Sequence, residues 1–106
     1  MGELTIALPG PKEIFPRLRS IAGNTAELNK FYMRLFKYAG QEVRVDELVT
    51  IVITEIAGFT TNMSAIDMDI LVAEAPKFID ALADVPLFAE LAKNSFRERM
   101  STMTTA

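Results

Sequence analysis

The chain has 106 residues, half of them hydrophobic and 24% charged, with 11 basic against 14 acidic side chains and a net charge of −3. That length and balance predict one folded domain, residues 1–106, and argue against a disordered chain. Cysteine and histidine are both absent, which excludes disulfides, thiolate metal sites and the side chain best suited to proton transfer near neutrality.

Met1-Gly2-Glu3 opens without the basic and apolar regions of a signal peptide, and Ile6 stands where an N-myristoylation motif wants Ser or Thr. The longest apolar runs fall far short of a membrane span. These features favour a cytoplasmic location and predict no transmembrane segment.

Residues 3–8 alternate imperfectly and end in Pro9-Gly10-Pro11, which suits an extended N-terminal arm over residues 1–11. From Lys12 to Ala22, Ile14, Phe15, Leu18, Ile21 and Ala22 keep helical spacing; Pro16 fits only a first turn, so a short helix is expected, ended by Gly23. Asn24 with Glu27 resembles a capping box. The residues that follow give the clearest helix in the chain, with Leu28, Phe31, Tyr32, Leu35, Phe36 and Ala39 on one face and Gly40 as its stop.

Leu48 to Thr54 is β-branched enough to suit a buried strand, but Val45, Leu48, Val49, Val52, Ile53, Ile56 and Phe59 repeat at helical spacing. Helix is the better reading, with Asp46 and Glu47 near its positive end and Gly58 with Thr60-Thr61-Asn62 closing it. Ser64 and Asp67 offer another capping box. Ile70, Leu71, Ala75, Phe78, Ile79 and Leu82 then hold one apolar face across Pro76, where a kink or a fresh helix start is expected. Pro86 opens a last helix through Phe88, Leu91, Ala92, Ser95, Phe96 and Met100, and residues 101–106 read as a frayed tail. The expected fold is all-α, a compact bundle of four to five short helices with a short extended N-terminal segment. Its core is expected at Leu28, Phe31, Leu35, Val49, Val52, Ile56, Phe78, Leu82, Leu91 and Phe96.

Chemistry-bearing patterns are few. Asp67-Met68-Asp69 resembles the start of a calcium loop but lacks the third acidic ligand, the glycine and the distal glutamate, so a helix cap explains it better. Glu55, Glu74, Asp80 and Asp84 are scattered along separate faces and read as solvated surface. Serines and threonines have no histidine to activate them, and no Gly-rich phosphate loop is present. No catalytic, cofactor-binding or metal-binding residue is nominated, no cofactor is implied, and the chain reads as a non-enzyme.

Lys30, Arg34 and Lys37 form a basic stripe opposite the apolar face of the second long helix, bordered by Tyr32, Met33 and Tyr38. A nucleic-acid or anionic-membrane contact is conceivable there, but the net charge of −3 argues against nucleic acid. A protein interface suits the aromatic and Met border, and Lys30, Tyr32, Arg34, Lys37 and Tyr38 are the expected contact residues. Charge is also uneven along the chain. Residues 1–45 hold seven bases against four acids, residues 46–96 hold two bases against nine acids, and the last ten residues hold two against one. If the halves occupy different sides of the fold, a basic and an acidic pole result and favour self-association into a homo-oligomer or docking to a charged protein. If they face each other, the charges pair internally. The expected function is a protein–protein interaction or assembly protein; the alternative is a small-ligand or lipid-binding domain whose apolar pocket the six methionines would suit. An enzyme using carboxylate or lysine chemistry is the third reading.

Overall fold

The computed structural model describes residues 4–58 and 65–104, except for the side chains of Glu27, residues 65–68, Met103 and Thr104. Five α-helices follow in chain order: α1 (Pro11–Ala22), α2 (Ala26–Leu35), α3 (Val45–Ala57), α4 (Ala65–Leu82) and α5 (Pro86–Thr104). A 3-10 turn, Phe36–Tyr38, follows α2, and two short strands, β1 (Thr5–Ala7) and β2 (Glu42–Arg44), pair antiparallel with Ile6 opposite Val43. The all-α expectation is met, with the extended arm as one edge of this ribbon. Its partner strand, between Gly40 and the start of α3, carries too short a pattern to be seen from sequence. Gly40 takes φ +80°, a left-handed turn that favours glycine, and its N–H donates to the Pro9 carbonyl at 3.0 Å, which fastens the arm.

The ambiguous β-branched segment is helical. Val, Ile and Thr each give up a few tenths of a kcal/mol of helix propensity, but α3 buries Leu48, Val49, Val52 and Ile56, and burial of such a side chain contributes about 1.5–3 kcal/mol. Tertiary packing therefore overrides local preference. Glu47 accepts the Arg44 backbone N–H at 2.9 Å, satisfying one donor at the head of α3. α3 and α4 both pack on α5, and α1 packs on α2 and α4, around one continuous core. Phe31 of α2 meets Phe78 of α4 edge to face, centroids 5.3 Å apart, at the centre.

Several local expectations need correction. Pro16 lies well inside α1, because Pro11 takes the first-turn position. α2 begins after Thr25, so Asn24 does not cap it; Asn29 instead donates its side-chain amide to the Thr25 and Gly23 carbonyls. α4 is assigned as one helix through Pro76, and Ser101–Thr104 continue α5 where fraying was expected. Leu91 is 44% exposed and is not core. The buried face of α5 is set by Phe88, Ala89, Ala92 and Phe96; at about 100° per residue Leu91 lies roughly 110° from its centre. The other nine expected core residues are buried. Phe59, residues 60–62, Ser64 and the side chains of Asp67 and Met68 lie outside the described residues.

Candidate functional site

The most developed polar site lies where α2 and its 3-10 turn meet α3. Among the described residues Glu55 is the buried charged one, 1% exposed, and its carboxylate accepts from three groups. Arg34 Nε donates to Oε1 at 2.7 Å, the Tyr38 hydroxyl donates to Oε2 at 2.6 Å, and Lys37 Nζ lies 3.0 Å from Oε2. Lys37 also sits 5.4 Å from the Tyr38 ring centroid. A carboxylate removed from water is costly unless paired and hydrogen-bonded, and these three donors meet that requirement.

The electrostatics follow from that geometry. Burial alone would raise the Glu55 carboxyl, but hydrogen bonds from Tyr38, Lys37 and Arg34 outweigh it and hold the group below its ordinary value. Burial, and then the bond to the Glu55 carboxylate, push the Tyr38 phenol up to about 12. The Arg34 guanidinium also lies over the end of α3, so close that a Cβ at Gly58 would meet Nη2 at 2.6 Å. α3 has no basic residue in its own last turn, and Arg34 supplies the positive charge that a helix C-terminus favours.

The basic stripe is therefore divided. Its i, i+4, i+7 spacing assumes a continuous α-helix, but α2 stops at Leu35 and the 3-10 turn winds Lys37 and Tyr38 around toward α3. Arg34 reaches the same carboxylate with its long stem. Lys30 stays exposed, with no hydrogen bond or ion pair among the described residues. Tyr32 is 3% exposed, inside the helix face it shares with Leu28, Phe31 and Leu35, and is packed at the edges of Phe15 and Phe36.

Reading Glu55 as solvated surface was wrong. It lies seven residues after Leu48 and three after Val52, inside the apolar stripe of α3, and that position was the signal that it would be buried.

Pairing across the molecule is extensive. Arg17 donates to Asp84 and to the Ala81 carbonyl near the end of α4, Arg44 meets Asp46 and Glu47, and Arg34 and Lys37 share Glu55. Four of the seven bases in residues 1–45 thus pair with acids of residues 46–96. Lys12, Arg19 and Lys30 do not, among the described residues. Lys12 and Arg19 stand three residues before and four after Phe15 on α1, where Phe15, 42% exposed, stacks on Phe36 at 5.8 Å, while Lys30 and Met33, 56% exposed, lie on α2. No cluster of acidic side chains that could hold a metal ion occurs among the described residues, and no described helix is long and apolar enough to cross a membrane. No protein-family model, curated protein or solved structure matches the chain.

Proposed function

We propose that this chain is a non-enzymatic protein–protein interaction or assembly protein, of the adaptor, assembly-factor or small-chaperone type, that contacts its partner through the α1–α2 surface. The observation that carries the reading is exposed Phe15 flanked on α1 by Lys12 and Arg19, with Lys30 and exposed Met33 on α2, all three cations being unpaired among the described residues. Exposed aromatic and Met side chains ringed by polar groups are the composition of an interface centre and rim. Cations that pair with no acid among the described residues would steer an acidic partner toward it. Relative to the stripe read from the sequence, the contact set moves: Lys30 stays, Arg34, Lys37 and Tyr38 hold the fold, and Phe15, Met33, Lys12 and Arg19 join. The test is capture from a native-host extract on immobilised wild type and on an Arg19→Glu/Lys30→Glu variant across a salt series. Proteins held by the wild type at low salt and lost by the variant support the reading; identical capture by both overturns it.

A second reading rests on a groove of about 660 Å³ between α4 and α5, with Val72, Pro76, Phe96 and Met100 as its apolar lining and Lys77 and Arg97 among its charged residues. Its volume is in the range of small-molecule sites. Lys93 in this groove is committed to Asp80 and Glu90, both at 3.0 Å, and these hydrogen bonds raise its affinity for its proton. A thermal-shift screen against anionic amphiphiles tests this reading, and a midpoint unmoved by all of them removes it.

A further inference from the structure

Three features of the surface bear on what could cover it. The first is the α1–α2 surface just described, which carries more than exposed apolar atoms. Beside Phe15 a shallow hollow of about 470 Å³ is lined by Phe15, Pro16, Arg19, Ser20, Gly23 and Asn24, so an unpaired cation sits in the wall of an aromatic-edged socket. On the same face of α1, Lys12 and Arg19 stand one turn to either side of Phe15 and are unpaired among the described residues.

The second is a ridge on the first half of α5. Leu87 and Leu91, 63% and 44% exposed, stand one helical turn apart, and Leu91 lines a hollow with Leu4, Val45, Arg44 and Asp46. The third is the charge around that ridge. Three ionic clusters adjoin it, and each holds two carboxylates to one cation: Asp46 and Glu47 with Arg44, Asp80 and Glu90 with Lys93, and Glu13 and Asp84 with Arg17. Asp84 stands three residues before Leu87, Glu90 three after it, and Asp46 shares the Leu91 hollow.

We propose that the partner of the α1–α2 surface is a second copy of this chain, docked head to tail with its Leu87–Leu91 ridge at the Phe15 hollow. This rests on the interaction reading above and names the occupant. A hollow flanked by cations and a pair of exposed leucines flanked by carboxylates are complementary in sign, and both belong to the same molecule. A single exposed ion pair contributes about 0–1 kcal/mol, so the leucines seat the contact while the several rim charges steer and align it. Because socket and ridge are different surfaces, the contact is heterologous: each copy keeps one free end, and copies add until a ring closes or a filament grows.

Sedimentation velocity on the full chain over a concentration series tests this, with two variants that leave Glu55 and its donors untouched. Wild type should sediment faster as concentration rises at low salt, and less so at 1 M salt, where the Debye length shrinks from about 10 Å at 0.1 M to about 3 Å. Arg19→Glu damages the socket only and Leu87→Lys the ridge only, so each alone should stay monomeric. Mixed, they should form a one-to-one dimer that grows no further, because one intact socket meets one intact ridge. Lys12→Glu and Leu91→Lys repeat the cross if either first choice loses its helical circular dichroism. A wild type that is monomeric at every concentration overturns the proposal, as does an equimolar mixture that stays monomeric or variants that still self-associate. A monomeric wild type that still loses captured proteins on Arg19→Glu/Lys30→Glu substitution would overturn self-docking and leave the interaction reading standing.

Discussion

The cations of the first 45 residues serve two regions in opposite ways. At the α2–α3 junction Arg34 and Lys37 close on buried Glu55 together with the Tyr38 hydroxyl, and their charge is used in holding the fold. On the surface of α1 and α2 Lys12, Arg19 and Lys30 have no acid to meet among the described residues, and Lys12 and Arg19 flank exposed Phe15. Lys30 and Arg34 are four residues apart on one helix, yet one faces solvent and the other reaches the core. The difference is made by an acid 21 residues beyond Arg34 in the chain, not by anything in the helix itself. A basic stripe is a surface for partners only where no distant buried carboxylate has claimed it.

The largest expected effect comes from removing that claim. Arg34→Met/Lys37→Met leaves Glu55 with a single donor, and an uncompensated buried charge costs about 3–5 kcal/mol, so urea denaturation should show loss of much of the stability. Phe31→Ala, which empties the site packed against Phe78, should cost a similar 3–5 kcal/mol by the same measurement. An unchanged midpoint for Phe31→Ala would contradict the central position of α2.

Tyr38→Phe is milder. It removes one hydrogen bond to a charged acceptor, worth about 1.5–3 kcal/mol, while Arg34 and Lys37 remain on Glu55.

The pH dependence sharpens the same contrast and carries two signs. The Glu55 carboxyl is lowered in the folded state, so its contribution is present above the ordinary value of 4.5 and is lost as pH falls through the lower folded value. The Tyr38 phenol is raised from 10.0 to about 12, so its contribution is full below pH 10 and is lost as pH rises through 12. Spectrophotometric titration of the phenols should show Tyr38 ionising near pH 12 in the wild type and closer to 10 in Glu55→Gln, from which the carboxylate that holds its proton is gone.

How much of this was legible in the sequence depends on the range of the forces involved. The helices were readable because their cause is local: Leu28, Phe31 and Leu35 recur at the period of one helix face, and even the β-branched run of α3 keeps that period. Leu91 was misplaced because periodicity gives a stripe without its edges, and the core needed only the part of it that holds Phe88, Ala92 and Phe96. The β1–β2 ribbon was half visible, since a three-residue strand pairing across 34 intervening residues leaves almost no local pattern. The Glu55 site was missed for the deeper reason that its members come from different elements, although the carboxylate's place within an apolar stripe marked it. The α1–α2 surface emerged only by subtraction, after the structure had shown which cations were already paired.

The division of the basic half is tested most directly by two variants with the same change in net charge, Arg34→Gln/Lys37→Gln and Arg19→Gln/Lys30→Gln, unfolded side by side in urea. The first should lose several kcal/mol because a buried carboxylate loses two of its three donors, and the second should stay within about 0.5 kcal/mol of wild type, as surface substitutions do. Equal losses in the two, or a larger loss in the second, would contradict the account.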